Sequence, residues 1–286
     1  MILITGAGGK TGRTLVKSLA NVEDVCGFVH REESVSTLKS LGAEKVIVGN
    51  MHDLSAIRSA MEGMRAVYHI CPNMHPDEVE IGKLVIGAAG GAGVEHFVYH
   101  SVLHPQTEKM THHWQKLRVE EMIFESGLPF TILQPAPYMQ NLLAGWKSIA
   151  NEGVLRVPYS VHSKFSFVDL KDIAEAASVV MTRPDHLHTT YELAGTSPRS
   201  YADVAELLGN LLESNVQVEK ETFGDWRSRA GELSEYRFEN LVKMFEYYDM
   251  WGLVGNPNIL RWLLKREPTS LEEFFQRTLK ERDAGH

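Results

Sequence analysis

The chain has 286 residues, 43% of them hydrophobic, with 29 basic against 37 acidic side chains and a formal charge of −8. That is apolar material for one large domain, or one domain with a smaller companion, and it excludes a disordered chain or a mini-protein. The acidic balance argues against nucleic acid as a partner. No run reaches the ~20 apolar residues of a membrane helix, no basic leader precedes Ile2, and two cysteines, Cys26 and Cys71, are too few for a disulfide framework. Membrane insertion and secretion are therefore not expected, and the reducing cytoplasm is the default compartment.

Short β-branched runs alternate with longer amphipathic stretches through the first half, the pattern of β-α-β units feeding a parallel sheet. Strands are predicted over 2–5, 25–29, 46–48, 66–70, 96–102 and 130–133. The helix over 10–20 carries Leu15, Val16 and Leu19 on one face. A helix over 53–61 starts at Asp53 as N-cap, one covers 77–90, and one over 115–126 ends at Gly127 as C-cap. Beyond residue 135 the alternation fails at Pro135, Pro137 and Pro158. A short segment over 165–168 leads into a helix over 172–181, and 163–195 is expected to return to the main sheet. From Ser200, which forms a capping box with Asp203, helix dominates. The aromatic-rich stretch over 233–250, with Trp226, Trp251 and Trp262 nearby, is expected to pack as core. The division expected is 1–150 as a first domain and 151–286 as a smaller, mostly helical part.

The run Ile2-Leu3-Ile4-Thr5-Gly6-Ala7-Gly8-Gly9-Lys10-Thr11-Gly12-Arg13 is a strand, a glycine turn and a helix start. Gly6 allows the tight bend, Gly9 lets backbone approach a pyrophosphate, and Gly12 lets the helix pack close to the strand, while the first helical N–H groups, from Lys10 and Thr11 onward, meet the anion. In this context, opening a β-α-β series, the motif predicts a Rossmann-type, doubly wound α/β sheet that binds a dinucleotide.

The same loop resembles that of the NmrA-like branch of the atypical short-chain dehydrogenase/reductases, the branch that includes triphenylmethane and isoflavone reductases. Further matching blocks are Gly93 to Ser101, Lys116 with Val119-Glu120-Glu121, Gly127 to Leu133, Tyr138-Met139-Gln140-Asn141, Phe167-Val168-Asp169 with Asp172-Ile173-Ala174, and Glu267-Pro268-Thr269-Ser270. The resemblance implies an NAD(P)H-dependent reductase. Its adenosine end would meet His30 and Arg31 after the second strand, then Asn50 and Met51 after the third. His30 stands where the family commonly has Arg and Asn50 where it has Asp, yet Arg31 can contact a 2′-phosphate, so NADP(H) is preferred and NAD(H) possible. Cys71 and Pro72 would pass along the ribose, and Pro135, Ala136 and Tyr138 along the nicotinamide, where Gln134 replaces a common Arg.

Ordinary short-chain dehydrogenases carry Tyr-x-x-x-Lys on one helix face, the Lys holding ribose and the Tyr passing a proton. Here the spacing reads His112-x-x-x-Lys116. By resemblance Lys116 is the ribose ligand and possible acid or base. His112, one turn earlier, is a candidate proton donor, and Ser101 a candidate to orient substrate. The pairs His112/His113 and His186/His188 among thirteen histidines lack zinc spacing, so no metal is expected. The reading is a reductase passing hydride to a small carbonyl, quinone or conjugated substrate, as a monomer or homodimer. The alternative is an NADP(H)-sensing regulator that works through a protein partner without turnover.

Overall fold

The structure is a computed structural model that describes residues 1–283. Strands β1 (Ile2–Ile4), β2 (Val25–Val29), β3 (Lys45–Val48), β4 (Ala66–His69), β5 (His96–His100) and β6 (Phe130–Pro135) match the predicted series to within two residues at each end. Two later strands are β7 (Val154–Val157) and β8 (Thr189–Leu193). The main sheet has seven strands in the order β3-β2-β1-β4-β5-β6-β8. Leu3 pairs with Cys26 on one side and Val67 on the other, and every register from β3 through β6 is parallel. The order reverses at β1, so the crevice beyond the carboxyl ends of β1 and β4 is the topological switch point where such sheets bind ligands.

Helices α1 (Lys10–Leu19), α2 (Ser34–Ser40), α3 (Leu54–Met61), α4 (Glu78–Ala92) and α5 (Thr111–Glu125) connect these strands. Strands β1, β2, β4 and β5 are buried at every position, as a parallel sheet covered on both faces requires. One face packs Leu3, Cys26, Val67 and Phe97 with Ile81, Val85, Val119 and Ile123. A methyl at Gly82 would sit 2.8 Å from a Val119 methyl, so α4 and α5 approach as closely as they do because position 82 has no side chain. Asp53 caps α3 by accepting the N–H groups of Ser55 and Ala56, and Gly93 ends α4 in the left-handed region at φ 68°.

The return to the sheet falls within the expected 163–195, but through its far end and not through 165–168. The segment over 165–168 forms only isolated bridges, Phe165 to Arg199 and Leu253 and Val168 to Tyr138, and the strand that rejoins the sheet is β8. Phe165 is held by rings instead: Tyr159, Phe167, Tyr201 and Tyr248 all lie within 6 Å of it, centroid to centroid.

The remaining helices are α6 (Trp146–Glu152), α7 (Leu170–Thr182), α8 (Tyr201–Leu212), α9 (Phe223–Ala230), α10 (Glu235–Trp251), α11 (Asn258–Leu264) and α12 (Leu271–Asp283), and β9 (Gln217–Lys220) pairs in parallel with β7. The Ser200–Asp203 capping box opens α8. Phe245 and Tyr248 are buried, but Trp251 and Trp262 are 61% and 59% exposed, contrary to the expectation of core packing. Among the described residues no helix is long and apolar enough to cross a membrane.

The chain divides into two compact units. The first is Met1–Glu108, His112–Gln134 and Ile173–Tyr191; the second is Lys109–Thr111, Pro135–Asp172 and the chain from Glu192. The division differs from the expected cut at residue 150. The chain changes unit at Pro135, the last residue of β6, and α7 with the start of β8 belongs to the first unit.

The first unit buries an unusual set of imidazoles. Desolvation pushes His69, His96 and His113 down to about 4, and His100 and His112 to about 3. Hydroxyls satisfy several of the neutral rings: His69 Nδ1 lies 2.8 Å from Thr5 Oγ1, His96 Nε2 2.8 Å from Thr131 Oγ1, and His100 Nδ1 2.8 Å from the Tyr68 hydroxyl. An unfolded imidazole titrates near 6.5, so below that pH the unfolded chain binds more protons than the folded one and stability falls. Thermal midpoints are expected to be level near neutrality and to drop steeply from about pH 6 towards pH 4. The variant His96→Gln should flatten that slope by about one proton, and a midpoint unchanged between pH 7 and pH 5 would contradict the assignment.

Candidate functional site

The turn between β1 and α1 has the shape the glycine spacing predicts. Gly6 sits at φ 61°, and a Cβ there would fall 2.7 Å from the Ile70 carbonyl oxygen. At Gly12 a Cβ would meet Gly6 O at 2.5 Å and Ala7 Cα at 2.6 Å, which is the close helix–strand packing the motif exists to allow. Gly9 is different: its Cβ would have only Gly6 O nearby, at 3.4 Å, so the missing side chain there leaves open space rather than protein contact. Gly9 is the N-cap of α1 in an extended conformation with no side-chain cap, and Gly9 and Lys10 are exposed while Thr11 is half-buried. A helix N-terminus with open N–H groups and a clear approach fits a pyrophosphate.

The other candidates for the adenosine end lie at the carboxyl ends of neighbouring strands. His30 and Arg31 follow β2 and are exposed. No ion pair involves Arg31 among the described residues, so its guanidinium is available to a phosphate. Asn50 is exposed and accepts the His52 N–H on its side-chain oxygen at 3.0 Å, while Met51 packs half-buried on the core. After β4, Cys71 is buried and Pro72 exposed. Burial and the adjacent Glu78 carboxylate push the Cys71 thiol far up, so it behaves as a small packed side chain.

Lys116 stands at the centre of a buried polar group. Its Nζ donates to Glu78 Oε1 at 2.9 Å and His100 O at 3.1 Å, and lies 3.5 Å from the Tyr99 hydroxyl, which itself donates to Glu78 Oε1 at 2.8 Å. Lys116 is 4% exposed and Glu78 is fully buried. Burial alone would raise the Glu78 carboxyl, but the Lys116 charge, together with the hydrogen bonds from Lys116 and Tyr99, brings the group below its ordinary range. Helix α5 presents the lysine because Lys116, Val119 and Glu120 share its inner face with His112 and His113. Both histidines are buried, not solvated. Burial first, then the Lys116 charge, keeps His112 a neutral imidazole, and its Nδ1 has no hydrogen-bond partner. Ser101 points inward and donates to Glu120, as does Gln134, 3.0 Å from each carboxylate oxygen. Desolvation raises the Glu120 carboxyl against these bonds.

In the second unit, Pro135 and Ala136 are buried, and Ala136 N–H donates to Leu193 O at 3.0 Å. Tyr138 is half-buried and bridges to Val168. Met139 is fully buried, which makes it packing.

Sequence reasoning missed Glu78, Tyr99, His100 and Glu120 as members of this group. Glu78 reads in the sequence as an ordinary first-turn helix acid. The available signal was Tyr99 and His100, polar groups at the end of a strand that is buried at every position.

A buried ion pair that loses one member leaves a charge without compensation, at a cost of about 3–5 kcal/mol. Lys116→Met and Glu78→Gln are each expected to lower the urea midpoint strongly. The double variant should recover much of the loss, and strict additivity of the two single effects would show that the pair is not coupled.

The NmrA-like family model matches residues 1–280. The chain is 28% identical over 279 residues to quinone oxidoreductase 2 of Escherichia coli, covering 96% of each protein. It is 30% identical over 220 residues to (4-alkanoyl-5-oxo-2,5-dihydrofuran-3-yl)methyl phosphate reductase of Streptomyces griseus, covering 74% of this chain and 75% of that protein. The crystal structure of NADPH-dependent quinone oxidoreductase from E. coli complexed with NADPH superimposes with a TM-score of 0.86 at 25% identity, over 98% of this chain and 100% of that one. The glycine turn, the seven-stranded sheet and a family match over nearly the whole length agree: this chain belongs to the NmrA-like family.

Proposed function

We propose that the protein is an NADPH-dependent reductase that delivers hydride to a small quinone, carbonyl or conjugated acceptor. The observation that carries this reading is the presence, beyond the carboxyl ends of one parallel sheet, of an open glycine-built helix N-terminus and of Lys116 ion-paired with Glu78. The likeness to E. coli quinone oxidoreductase 2 over 96% of both chains supports a quinone as the first acceptor to test.

In this reading the N–H groups at the start of α1 hold the pyrophosphate, Arg31 takes the 2′-phosphate, and Asn50 and Met51 border the adenine. NADPH supplies the hydride. Lys116 turns from its protein acceptors to the ribose hydroxyls and carries on Nζ the proton that the substrate oxygen needs. Glu78 accepts a hydrogen bond from that nitrogen at 2.9 Å and fixes its position. His112, neutral at physiological pH, contributes a hydrogen bond and not an acidic proton. Ser101 orients substrate only if its hydroxyl leaves Glu120. Pro135, Ala136 and Tyr138 are assigned to the nicotinamide on the family resemblance.

A second reading, a dinucleotide-sensing regulator, is favoured by one observation. His112 stands where a catalytic tyrosine would be, and Lys116 Nζ is already engaged by protein acceptors. Calorimetry and turnover together separate the two. The reductase reading expects NADPH to bind and to be oxidised by quinones, enals or azo compounds, with Lys116→Ala abolishing turnover. Tight binding with no oxidation by any acceptor, together with a stoichiometric protein partner, would establish the regulator.

Three substitutions test the cofactor geometry. Arg31→Ala is expected to weaken NADPH about tenfold while leaving NADH unchanged, the loss of one charge-assisted contact. Equal weakening of both would remove Arg31 from the 2′-phosphate. Gly12→Ala should destabilise the fold by about 1–3 kcal/mol through overpacking. Gly9→Ala should leave the thermal midpoint nearly unchanged and still abolish dinucleotide binding in calorimetry, because its methyl enters open space that the ligand needs.

A further inference from the structure

The turn after β3 and the turn after β4 bring His52, His75 and Asp77 together. One ligand atom from each lies within 4.8 Å of the others. His52 Nε2 is 3.7 Å from Asp77 Oδ2, and the two imidazole rings are 5.4 Å apart, centroid to centroid. Asp77 occupies the N-cap position of α4, where an aspartate ordinarily accepts an N–H of the first turn, but its side chain makes no capping bond. Its carboxylate faces His52 instead. The placement of His52 is itself fixed, because Asn50 Oδ1 accepts its backbone N–H at 3.0 Å.

We infer that His52, His75 and Asp77 form a binding site for a divalent transition-metal ion, of which Zn²⁺ is the representative, that staples the β3–α3 turn to the β4–α4 turn. Two imidazoles and one carboxylate are a donor set for borderline cations such as Zn²⁺ or Ni²⁺ and a poor one for Mg²⁺, which prefers oxygen alone. At zinc bond lengths of about 2.0–2.2 Å, tetrahedral ligand atoms stand about 3.4 Å apart. The most separated of these ligand atoms must therefore close by up to about 1.4 Å, which side-chain rotation on the two turns supplies. Three protein ligands leave the fourth position to water or another small ligand. The site lies outside the Lys116 group and does not depend on the proposed reaction.

Loading carries a specific local change. His75 Nδ1 now accepts the Asp77 backbone N–H at 3.1 Å. A metal on Nδ1 replaces that bond directly, while a metal on Nε2 requires Nδ1 to carry the ring proton and so to stop accepting. Either way the Asp77 amide is released.

The test is titration of the full chain with Zn²⁺ by calorimetry, with amide NMR in parallel. One ion per chain is expected, with displacement of the Asp77 amide resonance, a rise in thermal midpoint with zinc concentration, and no competition from excess Mg²⁺. His52→Ala and His75→Ala should abolish this binding, and Asp77→Asn should weaken it about tenfold or more. His162→Ala, on an exposed histidine elsewhere, should retain it. These three residues lie on surface turns, and the thermal midpoint without metal verifies that each variant is folded. No saturable binding, binding that survives in His52→Ala or His75→Ala, or an unmoved Asp77 amide in the loaded protein would each overturn the site.

Discussion

A charged amine and a carboxylate share the interior of the first unit, and the polar chemistry there follows from that pair. Removing both ions from water is expensive, and only close mutual contact plus further hydrogen bonds offset the cost. Lys116 and Glu78 meet both conditions through His100 O and the Tyr99 hydroxyl. The pair also ties α5 to the first turn of α4 and both to the end of β5. The end of β5 and the start of α4 are thus joined beside the switch point. The neighbouring imidazoles respond to the same charge: the Lys116 cation adds to desolvation in keeping His69, His100 and His112 neutral.

Two carboxylates in this interior have opposite character. Glu78 has a cation and is held ionised. Glu120, one turn beyond Lys116, has a hydroxyl and an amide as its hydrogen-bonding partners and is pushed upward. Ser101 and Gln134 therefore serve as solvating groups for a buried acid, which gives their side chains a structural occupation that strand-end polar residues do not reveal in sequence.

The first half of the fold was readable because parallel strands buried on both faces show as continuous apolar runs, and because Asp53 and the Gly6–Gly12 turn carry local signals with fixed structural meaning. The strand β8 was not readable: Thr189-Thr190-Tyr191-Glu192-Leu193 mixes polar and apolar residues, whereas Phe165-Ser166-Phe167-Val168 looks more like a strand but is claimed by aromatic packing. Lys116 was found through its spacing and family resemblance. Glu78 was not, because 38 residues separate it from its partner and no local pattern distinguishes a helix-start acid in water from one facing a buried lysine. The cluster of His52, His75 and Asp77 was hidden for the same reason, since its members come from two turns joined only by the fold.

The pairing of β7 with β9 has a consequence for how the chain is made. Parallel strands need a crossover, and here the intervening residues leave the second unit, complete the first with α7 and the start of β8, and then come back. On the ribosome, residues 135–172 emerge before either unit has all of its chain. The Ser18 hydroxyl waits for Ser178, 160 residues later, to close a contact on α1. The first unit therefore cannot complete its fold until residues 173–191 have been made. Neither unit corresponds to a contiguous gene fragment, because the chain passes between them more than once.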